Sequence, residues 1–125
     1  GKVNPVALET LAVHGVPWPN AGHPRSKSWD EFAEPGAPRM DFIFTVCASA
    51  AGEACPVWPG HPATAHWGIA APAHVEPLAA RRAAFELAYG ELEKRIAAFL
   101  KLPLETMSTA AVAEAARKIH AEAGA

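Results

Sequence analysis

The chain has 125 residues, with 11 Lys and Arg against 13 Asp and Glu and a formal net charge of −2. That length holds one domain with a real core, and the near-neutral balance excludes the basic stripe of a nucleic-acid binder and a polybasic membrane anchor. No apolar run is long enough to span a bilayer and no signal-peptide pattern opens the sequence, so a cytoplasmic protein is expected.

Hydrophobic residues make up 50% of the chain, but 29 of them are alanine, which fills helices more readily than it drives burial. Gly and Pro cluster before about Leu78, and the remainder is Ala-rich and nearly free of them. The shift separates loop-rich α/β material from a helical C-terminal part.

In chain order, Asn4-Pro5 opens a helix, with Asn as cap and Pro at the first helical position. Val6, Leu8, Leu11 and Ala12 follow at helical spacing, and Gly15 is its stop signal. Residues 16–27 are rich in Pro, Gly and Asn and read as a loop. Ser28 and Glu31 fit a capping box for a short helix that Pro35-Gly36 ends. Asp41–Cys47 is the best strand, apolar on both faces as a covered parallel strand would be. Residues 48–63 read as a loop, and Thr64–Ile69 as a second, shorter strand. A long helix is expected over about 75–102, with Phe85, Tyr89, Leu92, Ile96 and Phe99 on one face and its Glu residues among Arg and Lys on the solvated side. A last helix begins near Ser108 or Thr109, after Pro103. This order predicts an α/β sandwich, for which two strands alone make a poor sheet.

Three constellations carry chemistry. Cys47 ends the buried strand, where doubly wound sheets gather functional groups, and Cys55 lies eight residues later in a loop. A cytoplasmic thiol pair of this kind reads either as redox-active or as two small buried hydrophobes. Cys47, Cys55, His61 and His66 also form a C-x7-C-x5-H-x4-H series of zinc-type ligands, without the CxxC knuckle usual in structural sites. Most of the six histidines sit beside Pro, Gly or Ala and read as exposed loop residues. Trp58 and Trp67 either stack on a ligand or cover a small core, the second being the ordinary role. Neither GxxxxGK[ST] nor GxGxxG occurs, and no nucleophile elbow is present. No cofactor and no metal is therefore expected.

Four segments occur together: Arg25-Ser26-Lys27-Ser28-Trp29-Asp30-Glu31-Phe32, Asp41-Phe42-Ile43-Phe44-Thr45-Val46-Cys47, Gly52-Glu53-Ala54-Cys55-Pro56-Val57-Trp58-Pro59-Gly60 and Ala65-His66-Trp67-Gly68. In this order they resemble bacterial arsenate reductases of the low-molecular-weight protein tyrosine phosphatase fold, from Asn4-Pro5 to about Met107. The resemblance implies a three-layer sandwich with a parallel sheet over residues 1–107, and sets apart an Ala-rich helix at 108–125. It implies a thiol relay in which Cys47 matches the second thiol and Cys55 the resolving third, leaving a Cys47–Cys55 disulfide. Arsenate is the implied substrate, and thioredoxin or glutathione with glutaredoxin the implied reductant.

The sequence departs from the family pattern in three places. The N-terminal strand and CX5R nucleophile loop are not among these residues, and no Arg follows either cysteine at that spacing. Ala71 precedes Pro72 where the family often has Asp, and Ala48-Ser49 stands where Asp-Asn is usual. The family strand absent here is central and pairs with the one matching 41–47. The exposed edge is thus expected to be covered by an upstream segment, a complementary fragment or a second copy of the chain. A truncated, non-catalytic relative serving as a binding or dimerisation module is the alternative reading.

Overall fold

A computed structural model describes residues 3–17, 24–46 and 61–124. The chain divides into two compact units, Gly1–Ser28 with Ala71–Gly90, and Trp29–Ala70 with Glu91–Ala125. Its regular elements are helix α1 (Pro5–Val13), strands β1 (Phe42–Thr45) and β2 (Ala63–His66), helix α2 (Leu78–Leu100) and helix α3 (Thr109–Ala123), with 3-10 turns at Trp29–Phe32 and Leu104–Thr106. Among the described residues no helix is long and apolar enough to cross a membrane.

In the first unit, α1 forms where its end signals place it. The Asn4 side chain accepts from the Val6 N–H at 2.9 Å, so one of the orphan donors of the first turn is satisfied. At the other end Gly15 takes φ +67, the Gly15 N–H donates to the Ala12 carbonyl and the Val16 N–H to the Leu11 carbonyl at 2.9 Å. This is a Schellman closure, and its left-handed residue disfavours any side chain. Inside α1, Val6 and Thr10 are buried, and the Thr10 hydroxyl donates back to the Val6 carbonyl. His14 stacks on Tyr89 with ring centroids 3.9 Å apart and meets Glu86 at 2.8 Å, while Arg82 pairs with Glu9 at 3.1 Å. Such exposed pairs contribute about 0–1 kcal/mol each, so burial of Val6 contributes more to holding α1 than its charges do.

Two glycines with open space around the missing Cβ should respond in opposite directions. Gly15→Ala is expected to destabilise by about 1–2 kcal/mol, because an L-residue is forced into the left-handed region. Gly90→Ala, inside α2, is expected to stabilise by about 0.5–1 kcal/mol, because the helix interior gains a better former. Denaturant unfolding of the two variants measures both signs.

The second unit is built on the β1–β2 pair. The strands are parallel, with Phe42 opposite Ala63 and Thr45 opposite His66. The ladder continues past them, since the Trp67 N–H donates to the Thr45 carbonyl at 2.7 Å and the Ile69 N–H to the Val46 carbonyl at 2.9 Å. The chain is therefore a mixed α/β protein, with a two-stranded parallel sheet among the described residues. Phe42 and Phe44 turn to the core of Ala63, Ala65, Trp67, Phe99, Val112, Ala113 and Ala116. Phe99 meets Phe42 at 5.2 Å and Phe44 at 5.1 Å, both edge-on, the arrangement that the ring quadrupole favours.

Several elements differ from the sequence expectation. Residues 29–32 form a 3-10 turn rather than an α-helix, because few residues separate Ser28 from Pro35. The second strand is Ala63–His66 rather than 64–69. The long helix is trimmed to Leu78–Leu100: the Pro77 carbonyl accepts its first bond, from the Arg81 N–H, and short-range bonds tighten its end before Pro103. On its apolar stripe Ile96 is 47% exposed, and Arg95 is the buried neighbour at 5%. The charged residues of this helix are thus not all on a solvated face. Helix α3, capped by the Ser108 side chain accepting from the Ala111 N–H, packs Val112, Ala113 and Ala116 into the same core as β2.

Candidate functional site

Among the described residues, two polar side chains meet at the carboxyl ends of the two parallel strands. Parallel pairing sets Thr45 opposite His66, and the Thr45 hydroxyl lies 2.7 Å from His66 Nδ1. Gly68 leaves room for that ring, since a Cβ there would come within 3.1 Å of His66 Nε2. The next residue after His66, Trp67, is 2% exposed, and its indole N–H donates to the Ala116 carbonyl at 2.9 Å. Trp67 is therefore a core residue that ties the end of β2 to α3, and it is not open to stack on a ligand.

A second polar contact joins Arg95 and His120, with His66 near enough to act electrostatically on the His120 ring. The buried Arg95 guanidinium donates through Nε to His120 Nδ1 at 3.0 Å and through Nη1 to the Glu91 carbonyl at 2.9 Å. Both acceptors are neutral groups, and a guanidinium has no acceptor capacity of its own. His120 must then carry its proton on Nε2 and leave Nδ1 as acceptor. Burial is the first cause that lowers the His120 pKa below 6.5, followed by the positive charge of Arg95 and the neighbouring His66, with Glu91 opposing. A cation is ordinarily favoured in the last turn of a helix, where His120 sits. Here burial and Arg95 prevail over that preference.

Cys47 and Cys55 lie outside the described residues, as do Trp58 and Ala48-Ser49. Cys47 follows Thr45 by two residues in the sequence, immediately beyond Val46. Of the zinc-type series, His61 is exposed at φ +50 and His66 is half-buried against Thr45. Among the described residues no group of three or more His, Cys, Asp or Glu is placed to hold a metal ion. His14, His61 and His74 are exposed, whereas His66 and His120 are half-buried within regular structure.

No family model, curated protein or solved structure matches the chain.

Sequence reasoning passed over Thr45, Arg95 and His120. For Arg95 a signal existed: it lies three residues after Leu92 and four before Phe99, on the apolar stripe itself. For Thr45 and His66 there was none, because 21 residues separate them and only the strand register brings them together.

Proposed function

We propose that the chain carries the second and third thiols of an arsenate-reducing relay, Cys47 and Cys55. The observation that supports this reading is the ordered set of four segments, among them Asp41–Cys47 and Ala65-His66-Trp67-Gly68. β1 and β2 pair in parallel, in keeping with the parallel sheet that the resemblance implies. In the proposed reaction arsenate is first held on a further thiol, beyond the two cysteines of these residues. The Cys47 thiolate attacks that sulfur, an S–S bond forms, and the S–As bond breaks with its electron pair leaving on arsenic as arsenite. The Cys55 thiolate then displaces the first thiolate, and the resulting Cys47–Cys55 disulfide is reduced by an external dithiol of the thioredoxin class. Each step exchanges one sulfur–sulfur or sulfur–arsenic bond, and its rate follows the thiolate fraction of the attacking cysteine.

The test is mild oxidation with glutathione disulfide followed by peptide mapping. A single intramolecular Cys47–Cys55 bridge is expected, reduced by thioredoxin much faster than by glutathione at equal thiol concentration. Cys47→Ser should abolish the bridge and leave Cys55 as a mixed disulfide with glutathione. Two free thiols after oxidation, or mixed disulfides on both, would refute the relay. Faster reduction by glutathione with glutaredoxin would move the donor to that class and keep the relay.

A binding or dimerisation module is the second reading, favoured by one observation. A cavity of about 310 Å³ runs along β1, lined by Trp29, Phe32, Met40 and Phe42–Thr45. Sedimentation across a concentration series tests the dimerisation form of this second reading, for which a concentration-dependent dimer is expected; the oxidation test, and not self-association, decides the relay.

A further inference from the structure

We infer that the Arg95–His120 contact is an acid-sensitive latch that holds the C-terminal half of α3, and that protonation of His120 releases it. The geometry makes the contact single-state. Arg95 is a permanent cation, 5% exposed, and its Nε–H points at His120 Nδ1 at 3.0 Å. With its proton on Nε2, the imidazole satisfies that donor. A second proton, on Nδ1, sets an N–H against an N–H and a positive charge against the guanidinium. Among the described residues no carboxylate pairs with Arg95 to absorb the added charge.

The groups facing His120 come from three directions. From α2 they are Arg95, which opposes protonation, and Glu91, which favours it; from β2 there is His66, which opposes it. On α3 itself, Lys118 and Glu122 pair with each other at 3.9 Å. Only Glu91 works for the charged form, and burial prevails over it, in keeping with the lowered proton affinity of the ring. When α3 swings away, His120 returns to water and binds a proton at the ordinary pKa of about 6.5. Opening is thus coupled to uptake of one proton in the interval between the two pKa values. Two ties from α3 to β2 and the residue after it remain, the Trp67 indole to the Ala116 carbonyl and Arg117 to the Thr64 carbonyl at 3.3 Å, so release is confined to residues beyond Arg117.

Hydrogen exchange of the α3 amides between pH 7.5 and 5, corrected for intrinsic rates, tests the latch on the protein itself. Below pH 6.5 the opening equilibrium at residues 118–123 is expected to rise by up to tenfold per pH unit, the slope for one proton, while residues 112–116 stay flat. His120→Asn, which places an untitratable acceptor where Nδ1 stands, should hold residues 118–123 flat as well. The His120 ring resonances, followed by NMR in the unaltered protein, should titrate below pH 6.5 in step with the opening. A flat wild-type profile, a slope that survives in His120→Asn, or a His120 ring that titrates at or above 6.5 would each overturn the latch. If the Asn variant does not fold, the ring titration and the wild-type profile decide alone.

Discussion

Trp67→Ala is expected to lower the unfolding free energy by about 3–5 kcal/mol, the range for truncating a fully packed aromatic. Trp67 is 2% exposed and stands between the sheet and two helices, with ring centroids 4.2 Å from Phe44 and 6.3 Å from Phe99. The other buried members of this core are small, Ala63, Ala65, Ala113 and Ala116 with Val112, apart from Phe99. Short Ala side chains cannot reach into the space that an indole vacates, so much of the cavity term is retained. The indole N–H to the Ala116 carbonyl is the separable part. Trp67→Phe keeps an aromatic ring and loses that bond, worth about 0.5–1.5 kcal/mol, together with part of the contact area. Urea denaturation of both variants should therefore rank Ala well below Phe. A Trp67→Ala loss under about 1 kcal/mol would mean that this side chain is not in the core.

The same Trp67 shows where sequence reasoning runs out. Its burial was foreseeable as the ordinary role of a large aromatic in a small domain, yet its hydrogen bond to a carbonyl 49 residues away was not. Local signals at the helix ends and in the first strand were legible. Asn4-Pro5 and Gly15 bounded α1, Ser108 capped α3, and the apolar run Asp41–Cys47 marked the first strand, described at Phe42–Thr45. These features depend on backbone chemistry within a few residues, and the physics is contained in the sequence window. The Thr45–His66 contact depends instead on a strand register, and the Arg95–His120 contact on the rotation of one helix against another. Neither rotation nor register is a property of one segment. The thiol pair, the sharpest feature of the sequence, lies outside the described residues, so its reading rests on the segments that carry the resemblance.

Helix rotation is itself open to measurement, through a pair of substitutions three residues apart. On the spacing of the apolar stripe alone, Ile96 and Phe99 are equivalent, and truncating either should create a core cavity. The structure separates them: Phe99 is 6% exposed and Ile96 47%. Phe99→Ala is expected to cost about 3–5 kcal/mol, since it removes the ring that packs edge-on against Phe42, Phe44 and Trp67 together. It also uncovers the core-facing side of β1, a four-residue strand with little stability of its own. Ile96→Ala is expected to change stability by no more than about 0.5 kcal/mol, because lost partial burial is offset by better helix propensity. The asymmetry follows from Arg95, whose guanidinium is fixed by His120 and the Glu91 carbonyl and so turns Ile96 outward. Equal losses from the two substitutions would place both on the core face and remove Arg95 from its buried position. A large loss from Phe99→Ala alone, read from the shift in urea midpoint at constant m-value, fixes the rotation of α2 as described.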